Sequence, residues 1–273
     1  MILFRMVKDI KPFVKSASYI ALASFSCLIY SAFTPPLLSK AAASRLPLIG
    51  GLLGSLTGDL PGYWARFVLS FLLLGLAPFL LALAFREKPA DLGIKLKVAL
   101  LHRPLFWLLV PVAAVVGAMG ALSPDLGSFY PYSRDLIGRV REAGIGPLLG
   151  HFAAYFFLYY IPWEFFFRGF LLFPFALAAE RVLSGERSSA ADTGETSVSR
   201  GTVLAALVLF QTIPSTLLHF GHPLSELAGA VIAGIAFGAL AWKTKSILPG
   251  LILHTAIGFG ADALIVLKGA GYL

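Results

Sequence analysis

The chain has 273 residues, 58% of them hydrophobic and 13% charged, with a mean hydropathy of +0.83 and a formal charge of +8. So few charges exclude an ordinary soluble domain, in which roughly a quarter of residues are charged, and the Lys and Arg residues fall in short clusters between apolar runs, with no continuous face for nucleic acid. The single cysteine, Cys27, excludes an intramolecular disulfide and a cysteine-based zinc site.

A helix crossing a bilayer needs about 20 apolar residues, and seven stretches meet that ruler. The first runs from Ala17 to Phe33, too long for a cleaved signal and with its small-residue patch Ala41-Ala42-Ala43 too far behind, so it is expected to remain as a span. The second covers Phe67 to Phe85 and the third Pro104 to Leu122. The fourth begins near Pro147 and carries Glu164; Pro162 predicts a kink there, because its ring removes a backbone donor and crowds the preceding turn. Thr202 to Leu218, Leu227 to Trp242 and Ile247 to Leu267 complete the set. Two shorter pieces, Leu46 to Leu56 and Leu171 to Leu183, are expected to be interfacial or re-entrant, and either could hide an eighth span. The predicted fold class is an all-α, polytopic bundle of about seven or eight spans.

Ser184 to Arg200 is low in complexity and has no apolar period, which predicts a solvated, mobile linker. The chain divides on this reading into anchoring spans in 1–145 and a functional core in 146–273, with the linker near 184–200. Counting Lys and Arg on alternate sides gives fourteen on the side of the N-terminus and six on the other. That bias predicts a cytoplasmic N-terminus, in a plasma membrane of the bacterial inner-membrane kind. In the sixth span, the stretch around Gly234-x-x-x-Gly238 with Ala230 reads as a close-packing stripe.

The chemistry gathers in the back half. Glu164 and Arg168 are four apart within an aromatic run, hence on one helical face, where each offsets part of the other's desolvation. An ionisable group at bilayer depth is a functional candidate by default, with an ion pair clamping helices as the alternative. Further along come His219, His222 and Glu226, then His254, with Gly250, Gly258 and Asp262 on its stripe. A carboxylate and two imidazoles from different helices could activate water and hold the carbonyl oxygen under attack. His222 lies in a Gly221/Pro223 turn and Glu226 at a helix start, where the dipole favours an acid, so both are auxiliary candidates. Zinc held by His219, His254 and a carboxylate is the alternative to a site that requires no cofactor. Counted from Arg200, His219 falls near the far face of the membrane, and counted from Lys245, His254 falls near the cytoplasmic one, so the two meet only if the fifth span starts deep, tilts, or breaks at Pro214.

These motifs resemble the CPBP intramembrane proteases, which include the type II CaaX prenyl endopeptidases and bacterial relatives. The resemblance runs from about Tyr155 to Asp262 and rests on Glu164-x-x-x-Arg168-Gly169, Leu217-Leu218-His219, and Ser246-Ile247-Leu248-Pro249-Gly250 leading to His254. It implies an intramembrane endopeptidase acting on membrane-embedded or membrane-proximal protein, with Glu164, His219 and His254 catalytic and Arg168 orienting the acid. Three family positions differ: Trp163 stands for the first glutamate of the Glu-Glu-x-x-x-Arg motif, Ser215 for a phenylalanine, and Gly258 for an Asn or Asp. Two other readings stay open: an inactive member of the fold serving as binding partner, immunity factor or scaffold, and an ion-coupled transporter. The absence of internal repeats counts against the last.

Overall fold

A computed structural model of the protein describes residues 2–32, 61–131, 135–193 and 199–273. Among the described residues every regular element is helical. In chain order they are α1 (Ile2–Ala32), α2 (Pro61–Ser70), a π-helical segment π1 (Phe71–Leu76), α3 (Ala77–Ala84), α4 (Pro104–Ala121), α5 (Pro124–Phe129), α6 (Asp135–Ala143), α7 (Gly146–Tyr155), π2 (Phe156–Tyr160), α8 (Ile161–Glu164), π3 (Phe165–Phe170), α9 (Phe173–Thr193), α10 (Arg200–Leu217), α11 (Leu224–Thr244) and α12 (Leu248–Ala270).

Six helices are long and apolar enough to cross a membrane: Pro12–Ser31, Arg66–Ala84, Pro104–Ala121, Arg200–Leu217, Leu224–Thr244 and Leu248–Ala270. These correspond to six of the seven expected spans. The remaining one, fourth in order, is a continuous helical path in which α and π turns alternate from Gly146 to Phe170. Pro162 is the second residue of α8, with Ile161 between it and π2, and the wide turn before it accommodates a ring that a regular α-turn would crowd. That ring lies against Gly75 of π1, where an added Cβ would come within 3.3 Å of it.

This path is the centre of the bundle. Every residue from Pro162 to Phe170 is buried, whereas only 22–33% of the apolar windows of the six spans is buried within the protein. The remaining surface of those spans, including Leu105, Leu108, Val112, Val116 and Met119 on α4, is what a bilayer covers.

Backbone contacts hold the outer helices in place. A Cβ on Gly117 of α4 would overlap the Ile257 carbonyl of α12, and one on Gly260 of α12 would overlap the Ala114 carbonyl of α4. Small residues let two helices approach this closely where hydrophobic exclusion gives no drive. The α11 stripe works the same way: Gly234 faces Thr212, and Gly238 faces Gln211 and Val208, of α10.

The basic clusters segregate by end. Lys15 pairs with Glu87, Arg200 with Glu180, and Lys245 Nζ lies 4.0 Å from Glu180. Beside them, Ser246 Oγ donates to the Lys95 carbonyl at 2.9 Å. At the far end of α12, Arg141 donates to the Gly269 carbonyl at 2.6 Å.

Of the linker expected at 184–200, residues 184–193 are helical and 194–198 lie outside the described residues. Helix α9 runs on to Thr193, so the apolar piece Leu171–Leu183 and the first part of the polar segment share one helix. Its Phe173 end is anchored in the core, and once nucleated a helix propagates through Glu, Arg, Ala and Ser at little cost per residue. The other short apolar piece, Leu46 to Leu56, lies outside the described residues.

Gly260→Leu is expected to destabilise the protein by about 1–3 kcal/mol through overpacking. Gly150→Ala, at a glycine with nothing within 4 Å, is expected to change little. Denaturant titration of both proteins in the same detergent checks this.

Candidate active site

The stripe predicted on the last helix lies against the central path. Gly250, His254, Gly258 and Asp262 are four apart and share one face of α12. A Cβ on Gly250 would stand 3.4 Å from Glu164 Oε2, and His254 Nδ1 is 2.7 Å from Glu164 Oε1. Next along, the Tyr160 hydroxyl fills the space in front of Gly258. Asp262 Oδ2 lies 2.8 Å from His151 Nε2. Numbers rise on α12 as they fall on the central path, so the two pack antiparallel.

Glu164 is fully buried. Arg168 Nη1 lies 3.4 Å from its Oε1, the i,i+4 pair expected from spacing. The guanidinium is buried too, 5.9 Å from each of the Phe167 and Phe237 rings. A carboxylate can only accept, so the 2.7 Å contact makes His254 Nδ1 the donor. A neutral ring held this way keeps its lone pair on Nε2.

His219 comes from the opposite direction. Helix α10 ends one turn after Pro214, and the following turn hooks back: His219 N donates to the Thr216 carbonyl at 2.9 Å. Its ring stands 5.3 Å from that of Trp163. Trp163 and Glu164 are consecutive, so the central path touches His219 with one residue and His254 with the next. This is how histidines at different depths reach one site.

His219 Nδ1 donates to the Ser215 carbonyl at 2.7 Å, which leaves Nε2 as an acceptor, 4.0 Å from Glu226 Oε1. In this turn, outside both flanking spans, burial holds the imidazole low, at about 4, against the opposing pull of Glu226. The ring is therefore neutral at pH 7. Glu226 Oε1 in turn accepts from Tyr130 at 2.6 Å and lies 2.9 Å from His222 Nδ1. His222, read as a turn residue, is thus a support for Glu226, with its ring 4.6 Å from that of Phe129.

A cavity of about 520 Å³ joins these groups. Its wall includes Trp163, Arg168, His219, Glu226 and His254, while the rest is mostly apolar, from residues such as Val116 of α4 and Ile232 of α11. Glu164 is not on that wall; it stands behind His254. The sequence assigned it direct contact with water, and its complete burial puts the imidazole between the two.

Among the described residues no three His, Cys, Asp or Glu side chains form a group able to hold a metal; Glu164 pairs with His254 and Arg168, and Glu226 with His222 and Tyr130. The sequence reading also missed His151. The signal was Asp262 itself, an acid on an apolar helix that needed a buried partner.

Residues 146–260 match the family model described as type II CAAX prenyl endopeptidase Rce1-like. The matched part is similar to that family, a family of proteases, and spans the central path, both histidines and the helices that bear them. No curated protein and no solved structure matches the chain.

Asp262→Ala is expected to cost about 1–3 kcal/mol, because it removes the carboxylate 2.8 Å from the buried His151 Nε2. Asp262→Asn, which still offers an acceptor, is expected to cost less. Unfolding followed by tryptophan fluorescence in detergent separates the two.

Proposed function

We propose that this chain is an intramembrane endopeptidase, hydrolysing peptide bonds of membrane-embedded or membrane-proximal proteins without a required metal. The observation that carries the reading is a buried carboxylate backing an imidazole on the wall of a cavity inside the bundle, Glu164 to His254 at 2.7 Å. The Rce1-like domain supports it at the level of the family.

In the proposed reaction a water molecule lies between the His254 and His219 Nε2 lone pairs. His254 takes one proton as the water oxygen bonds to the peptide carbonyl carbon, and the carbonyl π pair moves onto oxygen. His219 accepts a hydrogen bond from the other water hydrogen and so orients the attack. When the tetrahedral intermediate collapses, the C=O bond re-forms, the C–N bond breaks, and the imidazolium returns its proton to the leaving nitrogen. Glu164 touches no substrate. It fixes the His254 tautomer and stabilises the imidazolium, while Arg168 balances the carboxylate. Glu226, held by Tyr130 and His222, lies 4.0 Å from His219 Nε2, on the side of the ring that faces the water, a separation one water can bridge.

One observation favours a second reading. Trp163 occupies the position of the family's first glutamate, and its ring fills space beside His219, which suits a member of the fold that binds a membrane partner without cutting it. A bacterial inner-membrane location with a cytoplasmic N-terminus suits either reading.

The purified protein, reconstituted with a panel of membrane-tethered peptides, is expected to release cleaved product. His254→Ala and Glu164→Gln should each lower kcat by about 10²–10⁴, with the proteins still inserted and folded. Specific binding with no turnover by the unaltered protein would establish the second reading instead.

A further inference from the structure

Negative charge develops on the peptide oxygen in the proposed reaction, and a site lowers that barrier by aiming N–H or O–H groups at it. Both histidines have given their Nδ1 protons away, His254 to Glu164 and His219 to the Ser215 carbonyl, so each offers the cavity a lone pair from Nε2. Tyr130 and Ser215 likewise donate, to Glu226 and to the Thr212 carbonyl. Arg168 has N–H groups to spare.

Its guanidinium carries five N–H groups in a planar fork and stays charged. Nη1 meets Glu164 Oε1 at 3.4 Å as an ion pair without a hydrogen bond, and among the described residues neither Nη1 nor Nε has a hydrogen-bond partner. Glu164 Oε2 has none either, so the pair has not closed on itself. Buried donors left in this state are rare, because they lose the bonds that water gave them. A counter-charge alone would turn them onto the acid.

The fork is also in the right place. Arg168 borders the cavity, and it shares one carboxylate oxygen with His254, which makes guanidinium and imidazole neighbours. The Phe237 ring touches both, 5.9 Å from the guanidinium carbon and 5.6 Å from the imidazole centroid. Together with Phe167, also at 5.9 Å, it limits the ways the fork can turn.

We infer that Arg168 is the oxyanion donor of this site, a catalytic residue as well as the counter-charge of Glu164. The inference rests on the peptidase reading above. As the water oxygen bonds to carbon, the oxygen that receives the carbonyl electron pair accepts hydrogen bonds from the guanidinium, which are released when the C=O bond re-forms. No proton leaves Arg168 at any step.

The test uses the full chain in liposomes with a tethered peptide that the unaltered protein cleaves, and the same peptide with a phosphinate, a tetrahedral anion, at the scissile position. Arg168→Lys keeps the positive charge beside Glu164 and loses the fork. It is expected to lower kcat about 10²-fold, with KM changed less than about threefold and the unfolding midpoint unmoved. An undiminished kcat would overturn the inference and leave the peptidase reading intact. Where Arg168→Lys does not fold, phosphinate affinity decides. In Glu164→Gln, which has no acid to balance, adding Arg168→Met is expected to weaken phosphinate binding about 10²–10³-fold and binding of the unmodified peptide less than about threefold. Equal weakening of the two would overturn the inference, since that marks a packing role. If the unaltered protein cleaves none of the peptides, the peptidase reading fails and this inference falls with it.

Discussion

A carboxylate is kept at the centre of an apolar bundle, and most of the architecture follows from keeping it there. A lone charge at that depth costs about 2.5–3.5 kcal/mol on insertion scales, so Glu164 needs partners that do not themselves carry a net penalty. Arg168 supplies the opposite charge from one turn away on the same path. His254 supplies the hydrogen bond from α12. For that helix to come close enough, the residues on either side of His254 on its stripe must be small, and they are Gly250 and Gly258. The close approach propagates outwards, since the neighbouring glycines Gly117 and Gly260 seat α4 against the other side of α12.

The π turns are part of the same constraint. An α-helix places residues 163 and 164 about 100° apart, which aims them at two different neighbours. With a π segment before and after the single α turn Ile161–Glu164, the path presents Tyr160, Trp163, Glu164 and Arg168 to the inside of the bundle within nine residues. Single-turn π segments recur at functional sites for this reason: they re-aim side chains without breaking the helix. Pro162 is tolerated because the turn before it is already wide.

How much of this could be read beforehand depends on the range of the interaction. The spans were legible because a bilayer imposes a length and a composition on each helix separately, and the Glu164–Arg168 pair because i,i+4 neighbours meet whatever surrounds them. The α12 stripe was legible for the same local reason. That Ser184 to Thr193 continues a helix was not legible, because composition reports solvation and not the helix that starts at Phe173. The meeting of His219 with the central path was legible only as a condition, a break at Pro214, since nothing local says where the following turn will point. His151 as the partner of Asp262, Tyr130 as the partner of Glu226, and the Tyr160 hydroxyl over Gly258 join residues about 100 apart in sequence. No spacing rule reaches that far.

Position-by-position comparison with a family motif has a similar blind spot. Scored by sequence, Trp163 and Gly258 remove two polar groups from the site. In the folded chain the gap at 258 is occupied by a hydroxyl from another helix, and the wall near His219 still carries a carboxylate, Glu226, from the start of α11. A site is defined by which atoms reach the cavity, and helices packed through glycine can exchange the duty of supplying them. Loss of a motif residue therefore weighs against catalysis only when nothing else fills its volume with equivalent chemistry. In this chain the Trp163 ring stands beside His219 and the Tyr160 hydroxyl stands in front of Gly258.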